Sequence, residues 1–138
     1  MKCLFLSLVF LVTVPASAQL HRLAPQSAQE LQALFRHTDD ALPFVSAHRG
    51  GPQKGFPENC IETFEHTLQH TFATLEVDPR YTKDGRIVLH HDPGVERTTN
   101  GKGKVADLTL AELKQLKLKD TEGNETAFSI PTLDEALE

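Results

Sequence analysis

The sequence has no tryptophan, one tyrosine and two cysteines among its 138 residues, and no block of more than two like charges. It therefore has no acidic or basic tail, and its core must be built from aliphatic residues and phenylalanine. The formal net charge of −5 argues against a nucleic-acid-binding protein, which usually presents a basic face. With 39% hydrophobic and 24% charged residues, the composition excludes collagen-like, low-complexity and fully disordered proteins.

Long hydrophobic runs are also scarce, and the one that stands out is at the N-terminus. Lys2 precedes an apolar run from Leu4 to Val14, and Ala16-Ser17-Ala18 follows as a small-x-small sequence. The run is shorter than the roughly 20 residues that span a bilayer. The pattern predicts a signal peptide over residues 1–18, cut after Ala18. We therefore expect a secreted or periplasmic protein without stable membrane insertion after cleavage; the alternative is an uncleaved N-terminal anchor.

Cleavage after Ala18 would remove Cys3 and leave Cys60 as the single cysteine of the mature chain. One thiol cannot form an intramolecular disulfide, so the core must stabilise the fold even in an oxidising compartment. We expect Cys60 to be a small apolar residue at the start of a helix rather than a catalytic thiol.

Helix starts and short apolar runs predict an α/β protein. Capping boxes, in which a side-chain acceptor is followed by an acid three residues later, occur at Ser27/Glu30, Asn59/Glu62, Thr109/Glu112 and Thr132/Glu135. Strands are predicted at 44–47, 74–78, 81–83 and 86–89. A strand–helix–strand order near the start implies a parallel strand pair. Residues 19–42 are interpreted as an N-terminal helical extension and residues 43–138 as a domain.

Glu76 and Asp78 are the first candidate site residues. Carboxylates at positions i and i+2 of a strand project from the same face, about 7 Å apart along the chain. Neighbouring acids repel and favour either a cation between them or full solvation. The pattern is thus compatible with a Ca²⁺ or Mg²⁺ site and, equally, with an exposed polar face.

The predicted hairpin brings a histidine to the acid pair. If Asp84-Gly85 forms a two-residue turn, Asp78 lies opposite His91. A three-residue loop would shift the register by one and place His90 opposite Asp78. In either register we expect one of the two histidines to be a site residue and the other to be structural.

A second candidate segment follows the first predicted strand. Ligands of parallel α/β folds bind beyond the carboxyl ends of strands, where this sequence has His48-Arg49. Arginine offers a charged fork that suits phosphate, although a plain surface loop explains the segment as well. Glu58-Asn59 is ambiguous too, because the capping box predicts Asn59 as a helix N-cap.

These motifs together resemble the N-terminal part of the glycerophosphodiester phosphodiesterase family. The resemblance covers roughly residues 44–138 and rests on an ordered series of motifs. They are His48-Arg49-Gly50, Pro57-Glu58-Asn59, Glu76-x-Asp78, Thr82-Lys83-Asp84-Gly85, His91-Asp92, Arg97-Thr98-Thr99-Asn100-Gly101, Leu108-Thr109-Leu110-x-Glu112-Leu113 and Ile130-Pro131-Thr132-Leu133-x-Glu135.

The resemblance implies a fold, an activity and site residues. The fold would be a TIM (β/α)8 barrel, which needs about 250 residues, so we expect the chain to hold only its N-terminal portion and to be inactive alone. The activity would be metal-dependent cleavage of a small-molecule glycerophosphodiester to glycerol 3-phosphate and an alcohol. By resemblance, the site residues are the acid–base pair His48 and His91, the Ca²⁺ or Mg²⁺ ligands Glu76 and Asp78, and the substrate-binding residues Arg49, Glu58 and Asn59.

Other interpretations stay open at this point. A phosphatidylinositol-type phospholipase C or a sugar-phosphodiesterase would share the histidine pair and the barrel. A non-catalytic protein that binds a metal or a phosphodiester is the alternative from a different class. Pro79 and Cys60 depart from the family pattern, and Pro79 removes an amide from the predicted strand, which is expected to strain pairing near the site.

Overall fold

A computed structural model describes residues 20–36, 38–39 and 44–138 of the chain. The predicted signal peptide, residues 1–18, lies outside the described residues. The helices are α1 (Ala28–Leu34), α2 (Ile61–His70), α3 (Leu110–Leu113) and α4 (Leu133–Leu137), and the strands are β1 (Val45–Ala47), β2 (Ala73–Leu75), β3 (Pro79–Tyr81) and β4 (Ile87–Leu89). Short 3₁₀ turns occupy His48–Gly50 and Val105–Asp107. In the part of the chain that the structure describes, no helix is long and apolar enough to cross a membrane.

The first two strands form the predicted parallel pair, with α2 between them in sequence. Val45 pairs with Ala73 and Ala47 pairs with Leu75. The prediction of a strand over 74–78 was wrong in its bounds, because β2 ends at Leu75. The amide of Glu76 still donates to the carbonyl of Ala47 at 3.0 Å, but β1 ends there and offers no further extended partner. Glu76 and Asp78 therefore follow the strand, at the carboxyl edge of the sheet.

The hairpin β3–β4 has the register of the three-residue loop, which places His90 and not His91 opposite Asp78, so that alternative is confirmed and the two-residue turn was wrong. Tyr81 pairs with Ile87, and the amide of His90 donates to the carbonyl of Asp78 at 2.8 Å. The amide of Gly85 closes a turn on the carbonyl of Thr82 at 3.1 Å, and Gly85 has a φ of 74°. A turn followed by a left-handed glycine is the usual three-residue hairpin loop.

Pro79 is the first residue of β3 and pairs with Leu89. A strand tolerates proline at its first position, where the missing amide disturbs the ladder least. The amide of Leu89 donates to the carbonyl of Pro131 at 2.9 Å instead. Pro79 therefore fits the start of β3 without the strained pairing that the sequence predicts.

Three of the four predicted helix caps are present. Ser27 accepts a hydrogen bond from the amide of Glu30, and Thr109 and Thr132 form complete capping boxes with Glu112 and Glu135. The prediction for Asn59 was wrong: Cys60 is the N-cap residue of α2, and Asn59 has a left-handed backbone with a φ of 53°. Its side chain contacts Asp78 instead.

The core lies between the hairpin, α3 and the segments that follow them. It is a cluster of buried residues, Cys60, Val88, Val95, Val105, Leu113, Leu118 and Ile130. Burial raises the pKa of the Cys60 thiol to about 12. The thiol is therefore protonated at neutral pH and is a core residue, as predicted.

Candidate active site

The loops after β1 and β2 meet through a backbone hydrogen bond. The amide of Arg49 donates to Oε2 of Glu76 at 2.9 Å. Arg49 has a φ of 51°, in the left-handed region, which turns its amide toward β2. Because both strands are parallel, their carboxyl ends lie at the same edge, and the two predicted segments come together there.

Asn59 holds Asp78 in place with two hydrogen bonds. Its Nδ2 donates to Oδ2 of Asp78 at 2.8 Å, and its Oδ1 accepts from the amide of Asp78 at 3.0 Å. The side chain is only 2% exposed. Asn59 thus orients one predicted metal ligand and does not start the helix.

Arg49 faces two carboxylates. Its Nη1 donates to both oxygens of Glu58 at 3.0 Å, and its Nε lies 3.9 Å from Oδ2 of Asp78. That Nε is buried, and among the described residues no atom accepts a hydrogen bond from it. A buried donor without an acceptor is costly, so an anion at this position would stabilise the arginine.

His91 is connected to Glu58 and Arg49 through Asp92 and Arg97, and we call these charged groups the network. Nδ1 of His91 lies 2.7 Å from Oδ1 of Asp92, and Nε of Arg97 donates to Oδ2 of Asp92 at 2.6 Å. The two terminal nitrogens of Arg97 each donate to one oxygen of Glu58 at 2.8 Å. The predicted segments around His48 and His91 are therefore linked by a continuous chain of charged groups.

The charges in this network stabilise one another. Burial raises the pKa of Glu58, but hydrogen bonds and charge from Arg97 and Arg49 outweigh it, and the pKa lies below its usual value. The hydrogen bond from Arg97, followed by that from His91, holds the pKa of Asp92 well below its usual range. Both carboxylates are therefore ionised at neutral pH.

The two neighbouring histidines are in different environments. His90 is 3% exposed, and its ring nitrogens lie 2.8 Å from the carbonyl of Asp92 and 2.9 Å from Oγ1 of Thr98. Burial lowers the pKa of His90, so it stays neutral and structural. His91 is partly exposed, with its Nδ1 on Asp92, and His48 is exposed at the end of β1.

Glu76 and Asp78 fit a hard divalent cation as two of its ligands. One oxygen of each carboxylate is held by the hydrogen bonds described above, and the other is outside the hydrogen bonds of the described residues. Carboxylate oxygens are the ligands that Ca²⁺ and Mg²⁺ prefer. No cluster of three or more metal-ligating side chains occurs within residues 20–36, 38–39 and 44–138, so these two acids alone make an incomplete ligand set.

Asp92 and Arg97 have places in the site that the sequence did not predict. Both residues belong to motifs on which the family resemblance rests, and those motifs are the sequence signal that could have identified them. The contact of Arg97 with Glu58 spans 39 positions and has no local sequence pattern. Only the folded chain brings these three residues together.

Comparison with known proteins identifies the family. A model of the glycerophosphoryl diester phosphodiesterase family matches residues 48–138, which contain all of the network described above. The chain belongs to this family. Family members generally depend on a divalent metal ion.

Relatives and solved structures agree with that family. A glycerophosphodiester phosphodiesterase of Caldanaerobacter subterraneus is 44% identical over 95 residues, which are 68% of this chain and 39% of the relative. A glycerophosphoryl diester phosphodiesterase from Parabacteroides distasonis is 55% identical with a TM-score of 0.76, over 79% of this chain and 38% of that one. A phosphodiesterase from Oleispira antarctica, solved in complex with its product sn-glycerol-3-phosphate, is 34% identical with a TM-score of 0.59, over 69% of this chain and 38% of that one.

The chain thus spans less than two fifths of the length of these relatives. The similar solved structures are TIM-barrel proteins, and the parallel pair β1–β2 with its helix α2 corresponds to part of that fold. The expected α/β barrel class is therefore confirmed.

Proposed function

We propose that the protein hydrolyses glycerophosphodiesters to glycerol 3-phosphate and an alcohol, with a divalent metal ion and with His48 and His91 as its acid–base pair. The observation that carries the proposal is the buried Nε of Arg49, a cationic donor that has no acceptor among the described residues and lies 3.9 Å from Asp78. An anionic phosphoryl oxygen would supply that acceptor. The Oleispira protein, bound to glycerol 3-phosphate, supports the same substrate class.

The acidic residues favour a cation beside the substrate. Glu76 and Asp78 would hold Ca²⁺ or Mg²⁺ through their remaining oxygens, while Arg49 and Asn59 fix the orientation of both carboxylates. When bound, the ion supplies positive charge that offsets the negative charge of the phosphodiester. Glu58 acts through Arg49, whose guanidinium it orients toward the phosphate.

The histidines would exchange the protons of the reaction. One accepts a proton from the attacking hydroxyl, which belongs to water or to the glycerol of the substrate. The other donates a proton to the leaving alcohol oxygen as the phosphorus–oxygen bond breaks. If the glycerol hydroxyl attacks, this step gives a cyclic phosphodiester, and water must then open the ring, with the two proton transfers reversed, to release glycerol 3-phosphate. Each such proton transfer is worth about 10²–10⁴ in rate.

The test is hydrolysis of glycerophosphocholine by the full-length gene product, with Ca²⁺, with Mg²⁺ and with chelator. We expect release of glycerol 3-phosphate with metal and none with chelator. His48→Ala and His91→Ala should abolish turnover while calorimetry finds metal affinity near the wild-type value; Glu76→Gln should lose metal affinity. His70→Ala, an exposed histidine on α2, is the matched control.

Two results would contradict this assignment. Folded wild-type protein that releases no glycerol 3-phosphate with either ion would exclude the proposed reaction. Equal loss of metal affinity and turnover in the histidine variants would show that the histidines are metal ligands and not proton carriers.

Export from the cytoplasm is a separate part of the proposal. The N-terminal pattern supports a signal peptide cut after Ala18 and therefore a secreted or periplasmic enzyme. Sequencing the N-terminus of the protein recovered from the producing cells tests it, since the proposal requires Gln19 as the first residue.

A further inference from the structure

The two segments that carry His48-Arg49 and His91-Asp92 are joined by a single arginine. Arg97 lies outside both segments, and its guanidinium contacts Asp92 with Nε and Glu58 with both terminal nitrogens. All three contacts are between 2.6 and 2.8 Å. A planar fork with five N–H donors can satisfy two carboxylates at once, which an ammonium group cannot do in the same geometry.

One end of this arrangement fixes the histidine ring. An ionised carboxylate only accepts hydrogen bonds, so the 2.7 Å contact with Oδ1 of Asp92 requires the proton on Nδ1 of His91. Nε2 is then the nitrogen that exchanges protons. The second oxygen of Asp92 is held by Arg97, which prevents the carboxylate from rotating away from the ring.

The other end fixes the phosphate-binding arginine. Glu58 accepts from Arg97 and Arg49 with the same two oxygens. The Glu58 side chain is only 14% exposed, whereas that of Arg97 is 49% exposed. Exposed ion pairs usually contribute little to stability, but bidentate pairs within a network are the exception. Arg97 therefore fixes the orientation of both carboxylates and, as part of a bidentate network, also contributes to stability.

We propose that Arg97 is a positioning residue: it orients His91 through Asp92, and it orients Arg49 through Glu58. It thereby holds the proton-transfer group and the phosphate-binding group in a fixed relative position. This inference rests on the function proposed above. Loss of Arg97 would leave both carboxylates free to rotate, and a misplacement of about 1 Å in a catalytic group can lower the rate about a hundredfold.

The first test compares arginine variants of the full-length gene product in glycerophosphocholine hydrolysis. We expect Arg97→Ala to lower kcat about a hundredfold while metal affinity stays near the wild-type value. Arg97→Lys should recover only part of the loss, because one ammonium cannot hold both acids. Added ethylguanidinium should restore part of the activity of Arg97→Ala and none of that of Arg97→Lys. Arg86→Ala is the control, since Arg86 is exposed and 3.9 Å from its partner Asp134.

The second test needs no turnover. Nitrogen-15 NMR of the histidine rings should find the proton of neutral His91 on Nδ1 in the wild type, and a mixture of both tautomers in Arg97→Ala and Asp92→Asn. This readout separates the two proposals: an inactive wild type whose His91 tautomer changes in both variants would overturn the proposed function and keep the positioning role.

Three results would overturn the role of Arg97. They are wild-type kcat in Arg97→Ala, an activity loss that matches the fraction of unfolded protein, and an unchanged His91 tautomer in both variants.

Discussion

At the scale of single residues, Asn59 shows how a buried amide can shape an acidic site. A carboxylate beside a second acid needs fixed hydrogen-bond donors, because otherwise the two acids repel and rotate apart. Asn59 supplies one donor to Oδ2 of Asp78 and accepts from the amide of the same residue. Its left-handed φ of 53° is one that asparagine adopts more readily than most residues. The contacts are therefore specific to this side chain, and the conformation is one that favours it.

The first prediction concerns this contact in metal-free protein. Asn59→Gly keeps the left-handed backbone and removes both hydrogen bonds, so we expect the free energy of unfolding to fall by about 2–4 kcal/mol, the usual value for one hydrogen bond to a charged group plus one neutral hydrogen bond. Asn59→Asp should lose more at pH 7, because it places a carboxylate against Asp78. Urea denaturation in the presence of chelator measures both losses.

The surface pair of Asn100 and Glu125 provides the control. Nδ2 of Asn100 lies 3.3 Å from Oε2 of Glu125, and both residues are exposed. Asn100→Asp creates the same juxtaposition of charges in water, where it should cost less than 1 kcal/mol, roughly the value of a surface ion pair. Equal losses in Asn59→Asp and Asn100→Asp would contradict the proposed role of burial.

At the scale of elements, local sequence rules worked where the cap residue has no distant partner. Thr109 and Thr132 cap their helices as predicted, because each hydroxyl accepts from the amide of the acid three residues later and that acid accepts from the cap amide. Asn59 obeys the same local rule but is engaged by Asp78, 19 positions away. The sequence left the hairpin register open for a related reason: Asp84-Gly85 suits both a two-residue turn and the end of a three-residue loop, and the structure has the latter.

The turn after β1 and the helix α2 are packed in direct contact. Gly50 follows Arg49 with a φ of 85°, and a Cβ atom there would lie 2.3 Å from Cδ1 and Cε1 of Phe64. Phe64 is buried on α2. The glycine thus lets the loop that carries His48 and Arg49 lie against the helix.

The second prediction separates the steric part of this contact from the backbone part. Gly85 has a similar φ of 74° but no atom within 4 Å of a built Cβ, so Gly85→Ala should cost only the left-handed strain, about 1–2 kcal/mol. Gly50→Ala should cost about 1–3 kcal/mol more, because it overpacks the core. Thermal or urea unfolding measures the difference.

A double variant makes the comparison decisive. In a Phe64→Ala background no side-chain atom remains beyond Cβ, and Gly50→Ala should then cost about as much as Gly85→Ala. If the cost of Gly50→Ala stays the same in both backgrounds, the contact with Phe64 is not its cause.

At the scale of the whole molecule, carboxylates tie distant loops together. Asp120 accepts from the amides of Gly55, Glu122 and Asn124, each at 2.9 Å, and so links the loop before α2 to the turn at 120–124. Glu58 links the same loop to Arg97. These ties depend on ionised oxygens, which makes the packing of loops around the site sensitive to acid.

The third prediction follows from the sign of this dependence. The amide of Gly55, followed by groups of Asn124 and Glu122, holds the pKa of Asp120 at about 2, below the usual unfolded value of about 3.9. The folded state then binds fewer protons than the unfolded state, so the contribution of Asp120 is fully present above about pH 4 and is lost as the pH falls toward 2. Asp120→Asn should be less stable than the wild type at pH 7, and the difference should narrow steadily between pH 4 and pH 2. The urea midpoint across this range measures the difference. Asp134→Asn, which changes an exposed acid whose side chain is 83% accessible, is the control.

A difference in urea midpoint between Asp120→Asn and the wild type that stays constant from pH 7 to pH 2 would contradict this prediction. It would show that the amides recognise the shape of the Asp120 side chain and not its charge. The acid sensitivity would then have to come from Glu58 and Asp92, whose pKa values are lowered in the same direction.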